Sequence, residues 1–323
     1  MNSQTEPLLE IDNLSVHFPT GGGLFGRGRQ LLRAVNNVSL TLRKGECLSI
    51  VGESGCGKST LALSIVGLQK PTAGTIRFEG KSISGPEQPS RLDRARMAQM
   101  VFQDPYASLN PRQTIYTSLA APLKLHGVTH RGEIDHRIEE IMRHVGLKPD
   151  QAKRFPHEFS GGQRQRIGIA RALVLSPKII VLDEPVSALD VSIRAQIINL
   201  LLELKDKLEL SYIMISHDLS VVEHMSDRVG VMFFGQMVET GPWDKIFANP
   251  THPYTRRLIS AIPDPFAEVA HETLLDDRAP GPPSGFDFYP KTFTGHDVYS
   301  APEPSKLVEI AEGHRVRLAE MPA

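Results

Sequence analysis

Long apolar runs are missing from this sequence. No stretch of about 18 consecutive apolar residues occurs among the 323 residues, so no membrane-spanning helix is predicted. Residues 1–6 are polar and lack the basic and apolar regions of a signal peptide. Both observations predict a chain that stays in the cytoplasm.

Cysteine is scarce and neither sign of charge is in excess. Only Cys47 and Cys56 are present, too few for a disulfide framework and without metal-ligand spacing. Both are interpreted as small apolar or loop residues. With 36 basic and 37 acidic residues the formal net charge is −1, which does not predict binding to nucleic acid or coating of an anionic membrane.

The chain is longer than one hydrophobic core usually requires, so a main domain with a smaller appendage is expected. Alternating strand and helix patterns between residues 8 and 262 predict an α/β domain at 1–262. Within it, residues 104–175 follow helical spacing and predict an inserted helical subdomain. Residues 20–29 predict a basic loop, and the Pro- and Gly-rich residues 263–323 predict a linker or extension.

Residues 52–60 match the phosphate-binding loop pattern of nucleoside triphosphatases, between an apolar strand at 47–51 and a helix at 59–66. The loop residues are Gly52, Glu53, Ser54, Gly55, Cys56, Gly57, Lys58, Ser59 and Thr60. The glycines let successive N–H groups curl around phosphates at a helix start. Lys58 is predicted to reach the β- and γ-phosphates, and the Ser59 hydroxyl to bind Mg²⁺.

A pair of carboxylates follows the apolar residues 179–182, which are predicted to form a buried parallel strand. Such a strand delivers Asp183 and Glu184 to the edge of the sheet where nucleotides bind. Asp183 is predicted to hold Mg²⁺ and Glu184 to act as general base toward water. Paired acids after a strand are often only a helix cap or a turn, but the phosphate-binding loop upstream favours the catalytic interpretation.

Residues 159–163 read Phe-Ser-Gly-Gly-Gln and resemble the signature of ATP-binding cassette (ABC) ATPases. With it, the family order of phosphate-binding loop, Gln103, signature, Asp183 with Glu184, residues 187–190 and His217 is complete. The resemblance covers about residues 8–262, and Phe159 replaces the usual leucine. It implies an α/β P-loop fold with a mostly parallel core sheet, an N-terminal antiparallel β subdomain and an inserted helical subdomain.

The resemblance also implies roles for individual residues. Two cassettes pack head to tail in this family, so one chain's signature completes the γ-phosphate site of the other. His217 corresponds to the switch histidine, and Gln103 to the residue that senses Mg²⁺ and the γ-phosphate. Phe18 is a candidate to stack on adenine, with core packing as the alternative. Nucleotide contacts from the signature and the segment after Glu184 are expected from Ser160, Gly161, Gly162, Gln163 and Asp190.

Three further strings, at residues 101–112, 155–159 and 249–255, are similar to the ATP-binding subunits of dipeptide and oligopeptide importers. Residues 16–19 with the following Gly-rich loop resemble their F-type subunit. This resemblance implies a sibling ATPase chain as partner, with a homodimer as the alternative. It also implies two membrane permeases, an extracytoplasmic solute-binding protein, and a place at the cytoplasmic face of a bacterial or archaeal membrane.

Several alternatives stay open at this point. Peptide-type cassettes also energise uptake of nickel, opines or glycosides, and a non-transport cassette ATPase is a less favoured class. A GTPase is disfavoured because no Asn-Lys-x-Asp string occurs. Some relatives carry an iron–sulfur cluster after a Pro-Pro-Ser-Gly string, but residues 282–285 are followed by Phe286 and no later cysteine. Since clusters need thiolates, none is expected.

Overall fold

The computed structural model describes residues 6–20, 30–85, 88–104, 106, 108–261, 281–290, 302 and 304–321. Most of the predicted basic loop at 20–29 and the first residues of the predicted linker lie outside these ranges. Among the described residues, no helix combines the length and the apolarity needed to cross a bilayer.

The strands and helices follow one another in α/β order. The strands are β1 (Leu9–Thr20), β2 (Gln30–Leu42), β3 (Cys47–Val51), β4 (Ala73–Phe78), β5 (Lys81–Ser82), β6 (Ala98–Val101), β7 (Ile179–Asp183), β8 (Ser211–Ile215), β9 (Arg228–Phe233), β10 (Gln236–Pro242), β11 (Phe286–Phe288), β12 (Lys306–Ala311) and β13 (His314–Glu320). The helices are α1 (Lys58–Val66), α2 (Arg91–Met97), α3 (Ile115–Leu125), α4 (Arg131–His144), α5 (Gly161–Leu173), α6 (Val191–Lys207), α7 (Leu219–Met225), α8 (Trp243–Ala248) and α9 (Pro253–Ser260). Short 3₁₀ turns lie at Pro149–Lys153 and Pro156–Glu158.

Two sheets organise the described part of the chain. The first is antiparallel, with strand order β2-β1-β4-β5, and packs its apolar face onto α1 and the larger sheet. The larger sheet has a parallel core in the order β9-β3-β8-β7-β6. Its strands β3 and β8 are buried at every residue, as expected where both faces are covered. The predicted parallel core and N-terminal antiparallel unit are both confirmed.

Helices α3, α4 and α5 contact one another between β6 and β7 in the chain. Helix α4 buries one apolar stripe, formed by Ile134, Ile138, Ile141 and Met142, at the spacing that an amphipathic helix requires. Gly146 follows its C-cap with a φ of +71°, which a glycine adopts without strain. These helices lie in the segment that was predicted to form a helical insertion.

The sequence pattern did not indicate two features. Helix α2 was not predicted, although the Ser90 hydroxyl accepting from Asp93 N–H is a recognisable start signal. Beyond residue 281, where a linker was predicted, β13 pairs with β10 and β11 along one edge and with β12 along the other. The C-terminal segment therefore extends the large sheet past β10.

Candidate functional site

The loop between β3 and α1 adopts a backbone that only glycine tolerates at two positions. Gly52 and Gly57 have φ values of +149° and +109°. A Cβ on Gly52 would lie 2.1 Å from the Met232 carbonyl oxygen, and one on Gly57 would lie 2.0 Å from the Ala34 carbonyl oxygen. Since real side chains never approach backbone so closely, the loop is packed against β2 and β9 through bare backbone.

Lys58 begins α1 and points back into the loop. Its side chain is buried, with 6% of the residue exposed, and its Nζ donates to the carbonyl oxygens of Gly52 at 2.6 Å and Glu53 at 2.8 Å. Cys56 is also buried, and burial raises the pKa of its thiol. The ammonium group thus donates to two backbone carbonyl oxygens, and a phosphate oxygen would compete with them for its hydrogen bonds. The loop residues that face solvent are Glu53, Ser54, Gly55 and Ser59, while Thr60 is half-buried.

Two oxygen atoms meet at the carboxyl end of β7. The Ser59 hydroxyl donates to Asp183 Oδ1 across 3.4 Å. Burial raises the pKa of Asp183, and the charge of Glu184 adds to the rise, whereas the Ser59 hydrogen bond and Lys58 oppose it. A hydroxyl and a carboxylate side by side suit Mg²⁺, which takes oxygen ligands and keeps several waters. Among the described residues no cluster of three or more His, Cys, Asp or Glu side chains could hold a metal.

The Glu184 carboxylate contacts two polar side chains that follow the neighbouring strands. Its Oε2 accepts from Gln103 Nε2 at 2.7 Å, and its Oε1 lies 3.0 Å from His217 Nδ1. A carboxylate oxygen accepts, so this contact requires the proton on Nδ1. Gln103 follows β6, Glu184 follows β7 and His217 follows β8. The three predicted catalytic residues therefore converge, with Glu184 15% and His217 58% exposed at the side chain.

The backbone at Glu184 is unusual. Its φ is +47°, a left-handed conformation that costs a non-glycine residue free energy and concentrates at functional sites. Its N–H donates to the Ile215 carbonyl oxygen at 2.9 Å, which extends the β7–β8 pairing by one step. The turn aims the carboxylate away from the strand and toward Gln103 and His217.

The signature residues form a separate group at the start of α5. Ser160 and Gln163 make a capping box, in which Ser160 N–H donates to Gln163 Oε1 at 3.0 Å and Gln163 N–H donates to Ser160 Oγ at 3.4 Å. A Cβ on Gly161 would meet Leu189 at 3.8 Å, and one on Gly162 would meet Ile193 at 2.5 Å. The neighbours of this group are thus the segment before α6 and α6 itself, rather than the phosphate-binding loop.

The remaining two predicted nucleotide contacts are Asp190 and Phe18. Asp190 is exposed at the N-cap of α6 and makes no side-chain capping hydrogen bond there. Phe18 is half-buried on β1, where it pairs with Leu32 of β2 and packs against the apolar cluster between the two sheets. Adenine stacking by Phe18 stays a prediction.

One contact to the phosphate-binding loop was missed. Tyr254, at the start of α9, accepts a hydrogen bond from Glu53 N–H at 2.9 Å. Residues 249–255 had served only to mark a resemblance. A contact between residues 201 positions apart leaves no local signal in a single sequence, so only the tertiary structure reveals it.

Family models match two segments of the chain. A model described as "ABC transporter" matches residues 35–187. A second, described as "Oligopeptide/dipeptide transporter, C-terminal region", matches residues 238–284. The first spans the phosphate-binding loop, the signature and Glu184, and the second spans Tyr254.

Curated proteins are similar over most of the chain. It is 48% identical to the oligopeptide transport ATP-binding protein OppF of Escherichia coli, over 97% of this chain and 96% of that protein. It is 52% identical to the oligopeptide transport ATP-binding protein AppF of Bacillus subtilis, over 80% and 79% respectively. Identity to the glutathione import ATP-binding protein GsiA of Pectobacterium atrosepticum is 48%, but the chain spans only 45% of that protein's length.

Solved structures share the fold. The dimeric ATP-binding cassette MJ0796, in a post-hydrolysis state with ADP and phosphate, superposes with a TM-score of 0.63 at 28% identity, covering 73% of this chain and 98% of that one. Protein cbiO1 from Clostridium perfringens, part of the transporter complex cbiONQ, superposes with a TM-score of 0.64 at 27% identity, covering 79% and 95%.

Proposed function

The chain belongs to the family of ABC transporter ATP-binding proteins, and we propose that it hydrolyses ATP to drive uptake of di- and oligopeptides through separate membrane permeases. The observation that carries the proposal is the convergence of Gln103, Glu184 and His217 beside the loop that holds Lys58. Phosphate-binding and proton-accepting groups at one sheet edge are what hydrolysis of a nucleoside triphosphate requires.

Binding of the triphosphate would use the loop first. Backbone N–H groups of the loop after Glu53 and of the start of α1 would face the phosphates, and the Lys58 ammonium would exchange its two carbonyl partners for phosphate oxygens. Ser59 and Asp183, with Gln103, would hold Mg²⁺, which neutralises charge on the β- and γ-phosphates when bound. Phe18 would cover the adenine.

Hydrolysis would use Glu184 as general base. A water oxygen attacks the γ-phosphorus, the bond to the bridging oxygen of ADP breaks, and the proton of the water passes to the carboxylate. In the present structure both carboxylate oxygens are engaged by Gln103 and His217. Movement of either partner toward the γ-phosphate would free an oxygen for water, so these two residues link nucleotide binding to activation of the base.

A second cassette would complete the site. Ser160, Gly161 and Gly162 present a helix start whose own neighbours are α6 and the segment before it, and such a start attracts anions. We propose that it contacts the γ-phosphate bound to a partner cassette, with Gln163 and Asp190 at the same interface. The similarity to a dimeric cassette supports this pairing. The proposed partner is a sibling chain rather than a second copy.

An apolar groove beside Gln103 suits a permease segment. Its lining includes Val66, Leu68, Leu92, Phe102, Pro122 and Leu125. Leu68 and Leu125 are each 67% exposed, which is unusual for large apolar side chains in one groove. Because Phe102 directly precedes Gln103, a segment docked here would respond to movement of Gln103. We propose on this basis that the chain works at the cytoplasmic face of the membrane.

Peptide cargo is supported by the relatives at about half identity, which are named for oligopeptide, di/tripeptide and glutathione transport. An extracytoplasmic binding protein and the permeases would choose the cargo. The proposal is tested by affinity purification of the tagged full chain from native membranes, with and without Leu125→Glu. Copurified permeases that are lost with L125E support it, whereas recovery with ribosomes or nucleic acid alone contradicts it.

A further inference from the structure

One peptide group of the phosphate-binding loop is held at both of its edges. The N–H of Glu53 donates to the Tyr254 hydroxyl at 2.9 Å, and the Gly52 carbonyl oxygen of the same peptide group accepts from Lys58 Nζ at 2.6 Å. The group is planar and its N–H and C=O point in opposite directions. Tyr254 and Lys58 therefore fix the orientation of a single plane.

This plane matters for phosphate binding. Lys58 leaves the Gly52 carbonyl when it turns to a phosphate, and one of the two restraints is then lost. The hydrogen bond from Glu53 N–H to Tyr254 does not involve the ammonium, so it can persist. It would keep the curled backbone from relaxing while the following N–H groups face the nucleotide.

Tyr254 itself is rigidly placed. Tyr254 is fully buried, and burial raises the pKa of its phenol. Its ring centroid lies 4.1 Å from that of Phe233 on β9. Its own N–H donates to His252 Nδ1 at 3.1 Å. The hydroxyl that meets the loop is thus carried by the first turn of α9, whose entry is fixed by a histidine.

His252 connects that turn to the C-terminal segment. Since Nδ1 accepts from Tyr254, the proton lies on Nε2, which donates to the Tyr289 carbonyl oxygen at 3.0 Å. Burial lowers the pKa of His252 to about 4, so the neutral ring needed for both contacts is the form present near neutral pH. Tyr289 directly follows β11.

Glu239 of β10 makes the second connection. Its Oε1 accepts from Thr251 N–H at 2.9 Å and lies 2.7 Å from His314 Nε2, while its Oε2 accepts from His252 N–H at 2.8 Å. Glu239 is 0% exposed, and a buried carboxylate is tolerated only when it is hydrogen-bonded. One side chain thus joins β10, the entry to α9 and the first residue of β13.

We propose that Tyr254 is a positioning residue for the ATP site, and that strands β11 and β13 secure it through His252 and Glu239. The inference rests on the proposed function and adds a task for the C-terminal segment, which supports the phosphate-binding loop from behind. Its consequence is that changes about 60 residues from α9 in sequence alter nucleotide affinity.

The test is the dissociation constant for MgATP of the full chain by titration calorimetry. Tyr254→Phe keeps the buried ring and removes the hydroxyl, and about a three- to ten-fold weaker affinity is expected for the loss of one hydrogen bond. Tyr212→Phe is the matched control, because Tyr212 is equally buried and donates to the Leu201 carbonyl oxygen, away from the loop. Y212F should lower thermal stability and leave MgATP affinity unchanged.

The C-terminal part of the proposal is tested by a double-mutant cycle. His314→Ala removes a partner of Glu239 and should weaken MgATP binding in the wild-type background. In the Y254F background its effect should largely disappear, because both changes act on one path. Equal effects of H314A in the two backgrounds would overturn the role of β13.

The outcomes distinguish failure of the proposed function from failure of the proposed role of Tyr254. A wild-type chain without saturable MgATP binding refutes the proposed function and the inference with it. Wild-type binding with equal affinity in Y254F refutes the inference alone. If Y254F does not fold, by circular dichroism, hydrogen exchange of the wild-type chain decides: slow exchange at Glu53 N–H supports the contact, and exchange as fast as in an unstructured peptide overturns it.

Discussion

At the scale of single residues, the proposed chemistry depends on Glu184. Its left-handed backbone and its two hydrogen-bond partners place one carboxylate where three strand ends meet. Asp183, one residue earlier, instead faces Ser59. Adjacent acids thus have different environments, which is how a protein assigns metal binding to one and proton transfer to the other.

Replacing the proposed base should stop turnover and spare binding. Glu184→Gln keeps the shape of the side chain and one accepting oxygen but cannot accept a proton, so ATP hydrolysis should fall by about 10²- to 10⁴-fold. MgATP affinity should stay within about three-fold, because binding relies on the loop and Lys58. Phosphate release and calorimetry measure the two quantities. Glu203→Gln, an exposed acid on α6, is the control, and turnover of E184Q at the wild-type rate would exclude Glu184 as base.

The phosphate-binding loop should not accept alanine at Gly57. Its φ is +109° and the added Cβ would lie 2.0 Å from backbone oxygen, so the loop must shift and MgATP affinity should fall at least about ten-fold. Gly80 also has a left-handed φ, of +73°, but open space around it. Gly80→Ala should therefore cost about 1–2 kcal/mol of stability and leave MgATP affinity intact. Equal affinities of G57A and G80A would contradict the packing argument.

At the scale of elements, the structure shows a buried polar cluster, formed by Glu239, His252 and His314, where β10, α9 and β13 meet. Arg317 of β13 adds a buried guanidinium whose Nε donates to the Met237 carbonyl oxygen at 2.6 Å. Burial lowers the pKa of Arg317 to about 10. Sheet pairing between β10 and β13 covers only two residue pairs, so these side chains supply much of the specificity of the docking.

The pH dependence of stability follows from His252. Burial lowers its folded pKa to about 4. The hydrogen bond to the Tyr289 carbonyl and the charge of Glu239 oppose this shift, and the charges of Arg256 and Arg317 add to it. The unfolded chain takes up the proton first as the pH falls, so this stabilisation is present above about pH 6.5 and is lost toward pH 4. The loss approaches ~3 kcal/mol at full protonation.

Urea unfolding at pH 7 and pH 4.5 measures this contribution. His252→Asn should flatten the difference between the two pH values by about 2–3 kcal/mol, whereas His224→Gln, at an exposed residue of α7, should leave it as in wild type. A difference that is the same in H252N and in wild type would show that His252 is not the group responsible.

At the scale of the whole molecule, the phosphate-binding loop and the signature sit on different parts of one chain. The loop lies between β3 and α1, while Ser160 caps α5, whose first two residues lie against Leu189 and Ile193. A complete site in the proposed sense therefore needs two cassettes. Binding and hydrolysis should then respond differently to changes in the signature.

Ser160→Arg should lower ATP hydrolysis without changing ATP binding. The bulky cation blocks the helix start that would meet the partner's γ-phosphate, so ATP turnover of the assembled transporter should fall by at least about ten-fold. MgATP affinity of the isolated chain should not change, because its own loop is untouched. Turnover in reconstituted vesicles and calorimetry on the isolated chain measure both, and wild-type turnover with S160R would contradict the pairing.

Much of the site could be predicted from the sequence because its motifs are local. Residues 52–60 carry the glycines, the lysine and the hydroxyl in one stretch. The apolar run of β7 predicts a buried strand that ends at Asp183, directly before Glu184. The resemblance to ABC ATPases and to peptide importers is confirmed by the relatives. The strands after residue 281 were missed, since their apolar alternation is short and their pairing partner lies about 75 residues earlier.

The sequence by itself determined the chemistry available to this chain: a phosphate-binding loop, the carboxylates proposed to bind metal and to act as general base, and a signature, each formed by adjacent residues. Only the tertiary structure decided which of them meet. Gln103, Glu184 and His217 come together because parallel strands end at one edge, and Tyr254 reaches Glu53 because β10 and α9 fold back onto the loop. Such contacts join residues far apart in the chain, and no local pattern records them.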